Sequence, residues 1–153
     1  MQTNSMQTIG WREWVNLPGL GAVVTKAKID TGARTSALHA YYVEPFRRDG
    51  KNWVRFGLHP LQGDKDTAVD CEAPVVDRRQ VTDSGGHREM RYVIATPVQL
   101  GAARFDVEVT LTDRENMRFR MLLGRTALKA RFLVDSNRSF LLGGDKTHPP
   151  KQA

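Results

Sequence analysis

Residues 26–40 read KAKIDTGARTSALHA. An apolar, strand-like run over 23–29, VVTKAKI, delivers one carboxylate, Asp30, onto a small-residue corner, Thr31-Gly32-Ala33. Asp and Gly are common turn formers, and Asp hydrogen-bonds neighbouring backbone, so an ordinary turn is one reading. A catalytic carboxylate fixed on a rigid loop is the other. The flanking sequence has to choose between them.

Working outward, most of the chain reads as short strands between turn signals. Leu17-Pro18-Gly19-Leu20-Gly21 is a turn by its Pro-Gly pair. Residues 37–46 read as one strand. Asp49-Gly50 has the chemistry of a tight hairpin, and WVRFGL (53–58) alternates as a half-buried strand does. RQVTDSGGHREMRY (79–92) centres polar arms on Ser84-Gly85-Gly86, a hairpin with a flexible tip. Residues 92–100 and FDVEVTLT (105–112) are strong strands. Met121-Leu122-Leu123-Gly124 is a short apolar run, and RTALKA (125–130) is composed of good helix formers. Residues 132–134 and 139–142 flank a last expected hairpin at Asp135-Ser136-Asn137-Arg138. Trp11, Trp14 and Trp53 are expected in the core, and His39 as a structural histidine. Many short strands with little helix argue an all-β barrel or sandwich.

The length of 153 residues suggests one domain, large enough for its own core. The expected organisation is a disordered N-terminus over 1–9, the folded domain over 10–142 and a disordered, Pro-bearing tail over 143–153. One cysteine, Cys71, excludes an internal disulfide and fits a reducing compartment. The first residues lack the basic and apolar regions of a secretory signal, and no apolar run reaches the roughly 18 residues of a membrane span. The expected location is the cytoplasm. The formal net charge of +6 favours acidic partners. The basic residues are interspersed with acidic ones, and no RNA-binding aromatic signature, zinc-finger spacing or long basic tail is present. Nucleic acid is therefore not favoured as a partner.

Ile29-Asp30-Thr31-Gly32-Ala33 resembles the active-site loop of aspartic peptidases, and Leu122-Leu123-Gly124-Arg125 resembles the apolar-apolar-Gly and Gly-Arg signature near the end of retroviral-type proteases. A Gly-bearing hairpin lies between them, where that fold places its flap. The likeness is closer to the bacterial retropepsin-like proteins long labelled ATP-dependent zinc proteases, several of which are partners of glutamate ligases of the RimK type. It covers roughly residues 10–142 and rests also on GWREWVNLPGLG (10–21), WVRFGLHP (53–60), DRRQVTDSGGHREMRYVI (77–94) and MRFRMLLGRTAL (117–128). The resemblance implies an all-β, retropepsin-like closed barrel with a flap hairpin and one short C-terminal helix. The zinc and ATP of the label find no support in the residues. His39, His59, His87 and His148 are isolated, there is no His-Glu-x-x-His or Cys pair, and no phosphate-binding Gly-x-x-x-x-Gly-Lys-Ser/Thr loop occurs. A zinc site assembled from distant histidines and Asp30 is the minor reading; no cofactor is expected.

By resemblance, Asp30, Thr31 and Gly32 are the catalytic residues, and a homodimer would bring two copies of Asp30 together. Such a dyad shares one proton because like charges about 3 Å apart do not both ionise. The candidate substrate-binding residues are Ala33, Arg34, Ser84, Gly85, Gly86, His87 and Arg125. Retroviral enzymes carry an Asp at the position of Arg34, paired with the Arg of the Gly-Arg motif. Here both are basic, so Arg125 needs another partner or each arginine faces a ligand. Two functions stay open. One is an aspartic peptidase acting on acidic or oligo-glutamate peptides, with a glutamate ligase as a possible partner. The other is a non-catalytic module of the same fold that binds acidic peptides or ligase products.

Overall fold

The computed structural model describes residues 6–61, 64, 66–82, 85–113 and 118–151. Twelve strands and one short helix follow the chain: β1 (Gln7–Gly10), β2 (Arg12–Leu17), β3 (Val23–Ile29), β4 (Ser36–His39), β5 (Tyr42–Arg48), β6 (Lys51–Leu58), β7 (Val69–Pro74), β8 (Asp77–Thr82), β9 (Arg88–Leu100), β10 (Ala103–Thr112), β11 (Met121–Leu123), α1 (Arg125–Leu128) and β12 (Phe132–Asp135). Strands β10, β4, β11, β3, β2 and β9 lie side by side in that order, and β9 pairs back onto β10. The result is a closed barrel, the all-β architecture expected from the sequence. Alternation in β3 turns Val23, Thr25, Ala27 and Ile29 inward, where they meet Leu38, Ile94, Val109, Met121 and Leu123. Closure removes open edges from the barrel wall.

Two appendages surround it. β5, β6 and β7 form a separate antiparallel meander. Its first turn is the predicted hairpin, with Asp49 and Gly50 both at positive φ and Arg48 opposite Lys51. β8 continues the sheet beyond the barrel by pairing with β9, giving the expected flap hairpin.

The sequence reading differs from the structure in five places. The expected strand over 37–46 is two strands. β4 stays in the barrel, whereas the amides of Ala40 and Tyr41 bond to Thr112 and Gly57 and hand the chain to the meander. Residues 132–142 do not form a hairpin. β12 instead pairs in parallel with β1, from Gln7 opposite Phe132 to Gly10 opposite Asp135. The amides of Leu141 and Leu142 go to the fully buried carboxylate of Glu13, which also accepts from Gly10. The segment 1–9, expected to be disordered, contributes β1 from Gln7 onward, with Ile9 fully buried. The tail folds back through residue 151: the Trp14 indole donates to the Asp145 carbonyl at 2.8 Å and Lys26 to the Lys146 carbonyl at 2.7 Å. Trp14 and His39 are buried, but Trp11 and Trp53 are only half-buried. Among the described residues no helix is long and apolar enough to cross a membrane.

Candidate active site

Asp30 sits where β3 leaves the barrel. The strand's inward set ends at Ile29, and the next residue emerges half-buried on the loop. The Asp30 amide donates to the Leu123 carbonyl at 2.8 Å, so the loop starts from β11. One carboxylate oxygen, Oδ1, accepts from the amides of Gly32 and Ala33 at 3.0 and 3.2 Å. The other, Oδ2, takes no hydrogen bond among the described residues. The carboxylate is thus oriented by its own backbone through Oδ1 alone. A Cβ on residue 32 would stand 3.2 Å from Oδ1, so glycine leaves room for this turn.

The late motif braces the early one. Amides at the start of α1, from Arg125 and Thr126, donate to the carbonyls of Ala33 and Arg34 at 2.7 and 3.2 Å. The Thr126 hydroxyl adds a second bond to the Arg34 carbonyl. Gly124 donates to the Ser36 hydroxyl at 3.1 Å. A Cβ on Gly124 would lie 2.6 Å from the Thr35 carbonyl oxygen and 2.8 Å from that of Ala33, so only glycine permits the crossing. The two motifs are one structural unit.

Arg125 and Arg34 have different surroundings. The Arg125 guanidinium reaches the carbonyls of Thr31 and Gly32 at 3.4 and 3.3 Å. The missing acid is replaced by backbone oxygens, and the side chain props the loop. The Arg34 side chain is exposed and forms no ion pair among the described residues. It lines two grooves. One, of about 710 Å³, runs between the loop, α1, β10 and residues 79–82 of the flap strand β8. The other, about 650 Å³, is bordered by Thr31, Arg125, Leu128, Leu133 and Val134.

The flap tip is only partly described. Ser84 lies outside the described residues. Gly85, Gly86 and His87 are exposed, and Gly86 has φ +84°, a left-handed conformation suited to glycine. The wall shared with the Asp30 loop is the β8 strand rather than the tip. That strand is pinned by Arg79, whose guanidinium bridges Asp77 and Glu108 at 2.7 and 2.6 Å.

Three supporting groups were not anticipated from sequence. Ser36 holds Gly124, as described. Buried Arg91 bonds Glu89 at 3.1 Å and the Thr110 hydroxyl at 3.4 Å, and Thr110 donates to the Ser36 carbonyl. A polar chain thereby runs from the base of the flap to the floor of the Asp30 loop. Thr-rich strands gave a hint, but only the β9–β10–β4 register aligns these residues. Among the described residues no group of three or more His, Cys, Asp or Glu is gathered. Burial, with Asp70 nearby, raises the Cys71 thiol to about 11.

Residues 8–143 match the RimB-like family, described as retropepsin-like aspartic endopeptidase RimB. The chain belongs to this family. RimB-like relatives with curated names include a probable alpha-L-glutamate ligase of Shewanella pealeana, 50% identical over 135 residues. A protein of the same name from Desulfotalea psychrophila is 44% identical over 142 residues. These matches cover 88% and 93% of this chain but 30% and 31% of the relatives, so the chain spans about a third of their length. The RimB-like barrel is also similar to the crystal structure of Lpg0085 from Legionella pneumophila, a protein of unknown function. The TM-score is 0.76 at 25% identity, over 90% of this chain and 99% of that one.

Proposed function

We propose that this protein is an aspartic peptidase that works as a homodimer without zinc or ATP. The observation that carries the reading is the Asp30 carboxylate, fixed through Oδ1 and open at Oδ2 on a loop braced by Gly124 and Arg125. Each chain supplies one such aspartate, so the dyad needs two copies. One Asp30 carboxylate takes a proton from water as the water oxygen bonds to the scissile carbonyl carbon. The protonated Asp30 of the other copy gives its proton to the carbonyl oxygen. Collapse of the tetrahedral intermediate breaks the C–N bond, and the amine leaves with a proton from the dyad. The groove beside Thr31 supports a dimer through this face: its wall includes Leu128 and Leu133, and Leu133 is 51% exposed. Thr31 would bond across the dimer, and the flap with Ser84, Gly85, Gly86 and His87 would close over substrate.

Acidic peptides, oligo-glutamate among them, suit the site because the exposed Arg34 forms no ion pair among the described residues and Arg binds carboxylates bidentately. The relatives' name points the same way, toward a glutamate ligase as partner. We place the activity in the cytoplasm, where a lone buried thiol stays reduced. A non-catalytic peptide-binding module is the second reading, favoured if the chain stays monomeric, since a single Asp30 has no dyad. Incubation with a glutamylated peptide tests both. Asp30→Asn keeps the loop's shape and removes the ionisable group, and turnover is expected to fall about 100- to 10,000-fold. Undiminished turnover, or a monomer by light scattering in the presence of substrate, defeats the aspartic mechanism.

A further inference from the structure

A second charged feature lies on the barrel away from the Asp30 loop. The outer side of β3, residues 60, 61 and 64, residues 118–120 and the returning tail border a cavity of about 310 Å³. Lys26, Arg118 and Lys146 stand on its walls. Lys26 is tied to the Lys146 carbonyl at 2.7 Å. None of the three forms an ion pair among the described residues. Asp64, the acidic residue on the wall among the described residues, is committed to its own loop: it accepts from the amides of Asp66 and Thr67 and from the Thr67 hydroxyl. Burial, followed by the nearby charges of Arg12, Lys146 and Arg118, lowers the Lys26 ammonium pKa. A cluster of like charges such as Lys26, Arg118 and Lys146, with no ion pair to them among the described residues, is relieved by an anion.

The walls also discriminate between anions. Single-stranded nucleic acid is held by open aromatic faces on which bases stack. Here Trp14 is buried, its indole N–H is used by Asp145, and Lys26 lies 5.7 Å from its ring centre. Phe119 is set edge-on against Trp11 at 5.8 Å. The Trp14 ring, buried and covered by Lys26, offers no face to a base.

We propose that this cavity is a second anion site, which holds side-chain carboxylates of an acidic peptide outside the catalytic groove. The inference rests on the acidic-peptide reading above for the source of the carboxylates. Lys26 and Asp30 are four residues apart on one extended strand, about 13 Å at 3.3 Å per residue. An extended acidic segment of about four residues spans that distance, so the site anchors one end of a long acidic peptide while another part reaches Asp30.

The test is calorimetric titration of hexa-glutamate into the Asp30→Asn chain, which does not consume it. Lys26→Glu combined with Arg118→Glu is expected to weaken binding about tenfold or more. The charge-matched pair Lys51→Glu and Arg104→Glu, at exposed positions elsewhere, is expected to change it less than threefold. Lys26→Gln with Arg118→Gln gives the same direction if charge reversal harms folding. Equal weakening by both pairs, or none by the first, overturns the site. Tighter binding of a single-stranded oligonucleotide at the same cavity also overturns it. Cleavage by the unsubstituted chain is measured separately. An active chain with cavity-independent binding removes this inference alone, and an inert chain with cavity-dependent binding removes the peptidase reading alone.

Discussion

The Asp30 loop and the end of the flap both depend on glycine, for opposite reasons. Gly124 is needed because two carbonyls already occupy the space a side chain would take. A Cβ on Gly86 would meet nothing within 4 Å among the described residues, and glycine suits the position for its positive φ. The first is a packed crossing tied by five backbone or hydroxyl bonds among residues 30–36 and 123–126. The second is an exposed hairpin end on a pinned base. A carboxylate that moves a proton must hold its direction to a fraction of an ångström, whereas a cover must open to admit a chain. Crowding under one loop and, among the described residues, open space at the other suit the fixed carboxylate and moving cover of the proposed peptidase.

Substitutions can break this contrast. Gly124→Val is expected to cost about 3 kcal/mol or more, through overpacking against backbone that cannot move aside. That corresponds to a fall in Tm of about 6–12 °C for a chain of this size. An unchanged melting curve would show that the crossing yields. Ser36→Ala strands the buried Gly124 amide and is expected to cost about 1–3 kcal/mol, read by denaturant titration. A loss below about 0.5 kcal/mol would mean that water replaces the hydroxyl. Gly86→Ala meets only a left-handed backbone, worth about 1–2 kcal/mol locally. We expect a Tm within about 3 °C of the parent, with kcat and KM for the glutamylated peptide changing together. A large Tm loss would place the flap end in the cooperative core. The smallest effect is expected at Cys71, in the meander. With its thiol raised to about 11 by burial, the nucleophilic thiolate is scarce at pH 8 and grows only as pH approaches that value. Iodoacetamide labelling followed by mass spectrometry should be slow at pH 8 in the parent and in Gly86→Ala alike. Fast labelling in the variant alone would couple flap and meander.

How far the sequence could be read follows from the range of the interactions. Asp49-Gly50 was legible because its turn is local and both residues adopt the positive φ they favour. The Asp30 loop was legible because each half carries its own motif, although the bonds that join them cross some ninety residues. Arg125's use of carbonyls in place of an acid was not legible, since backbone oxygens leave no trace in composition. Nor was Glu13. A Glu in a β-type run reads as solvent-facing, and only the tail's return adds the Leu141 and Leu142 amides to that of Gly10 and makes its burial affordable. The cationic cavity escaped for the same reason: Lys26, Arg118 and Lys146 look like ordinary surface charges until three distant segments meet.

The three residues of β11 lie between β3 and β4, and they are made long after both. Until Met121–Leu123 arrives, the barrel has a gap in its wall, with two strands showing unpaired amides and carbonyls. The parallel contact of Gln7 with Phe132 waits longer still. During synthesis this chain therefore cannot finish its barrel hairpin by hairpin. Closure comes as a late event, of the kind that makes non-local β folds slow and open to misassembly. A ribosome-stalled chain ending at residue 118 should be digested rapidly by protease, whereas one extended so that residues 1–151 lie outside the exit tunnel should resist. The loop that positions Asp30 is tied to β11 and α1 in that same closing step, so the geometry of the candidate site and the completed barrel appear together.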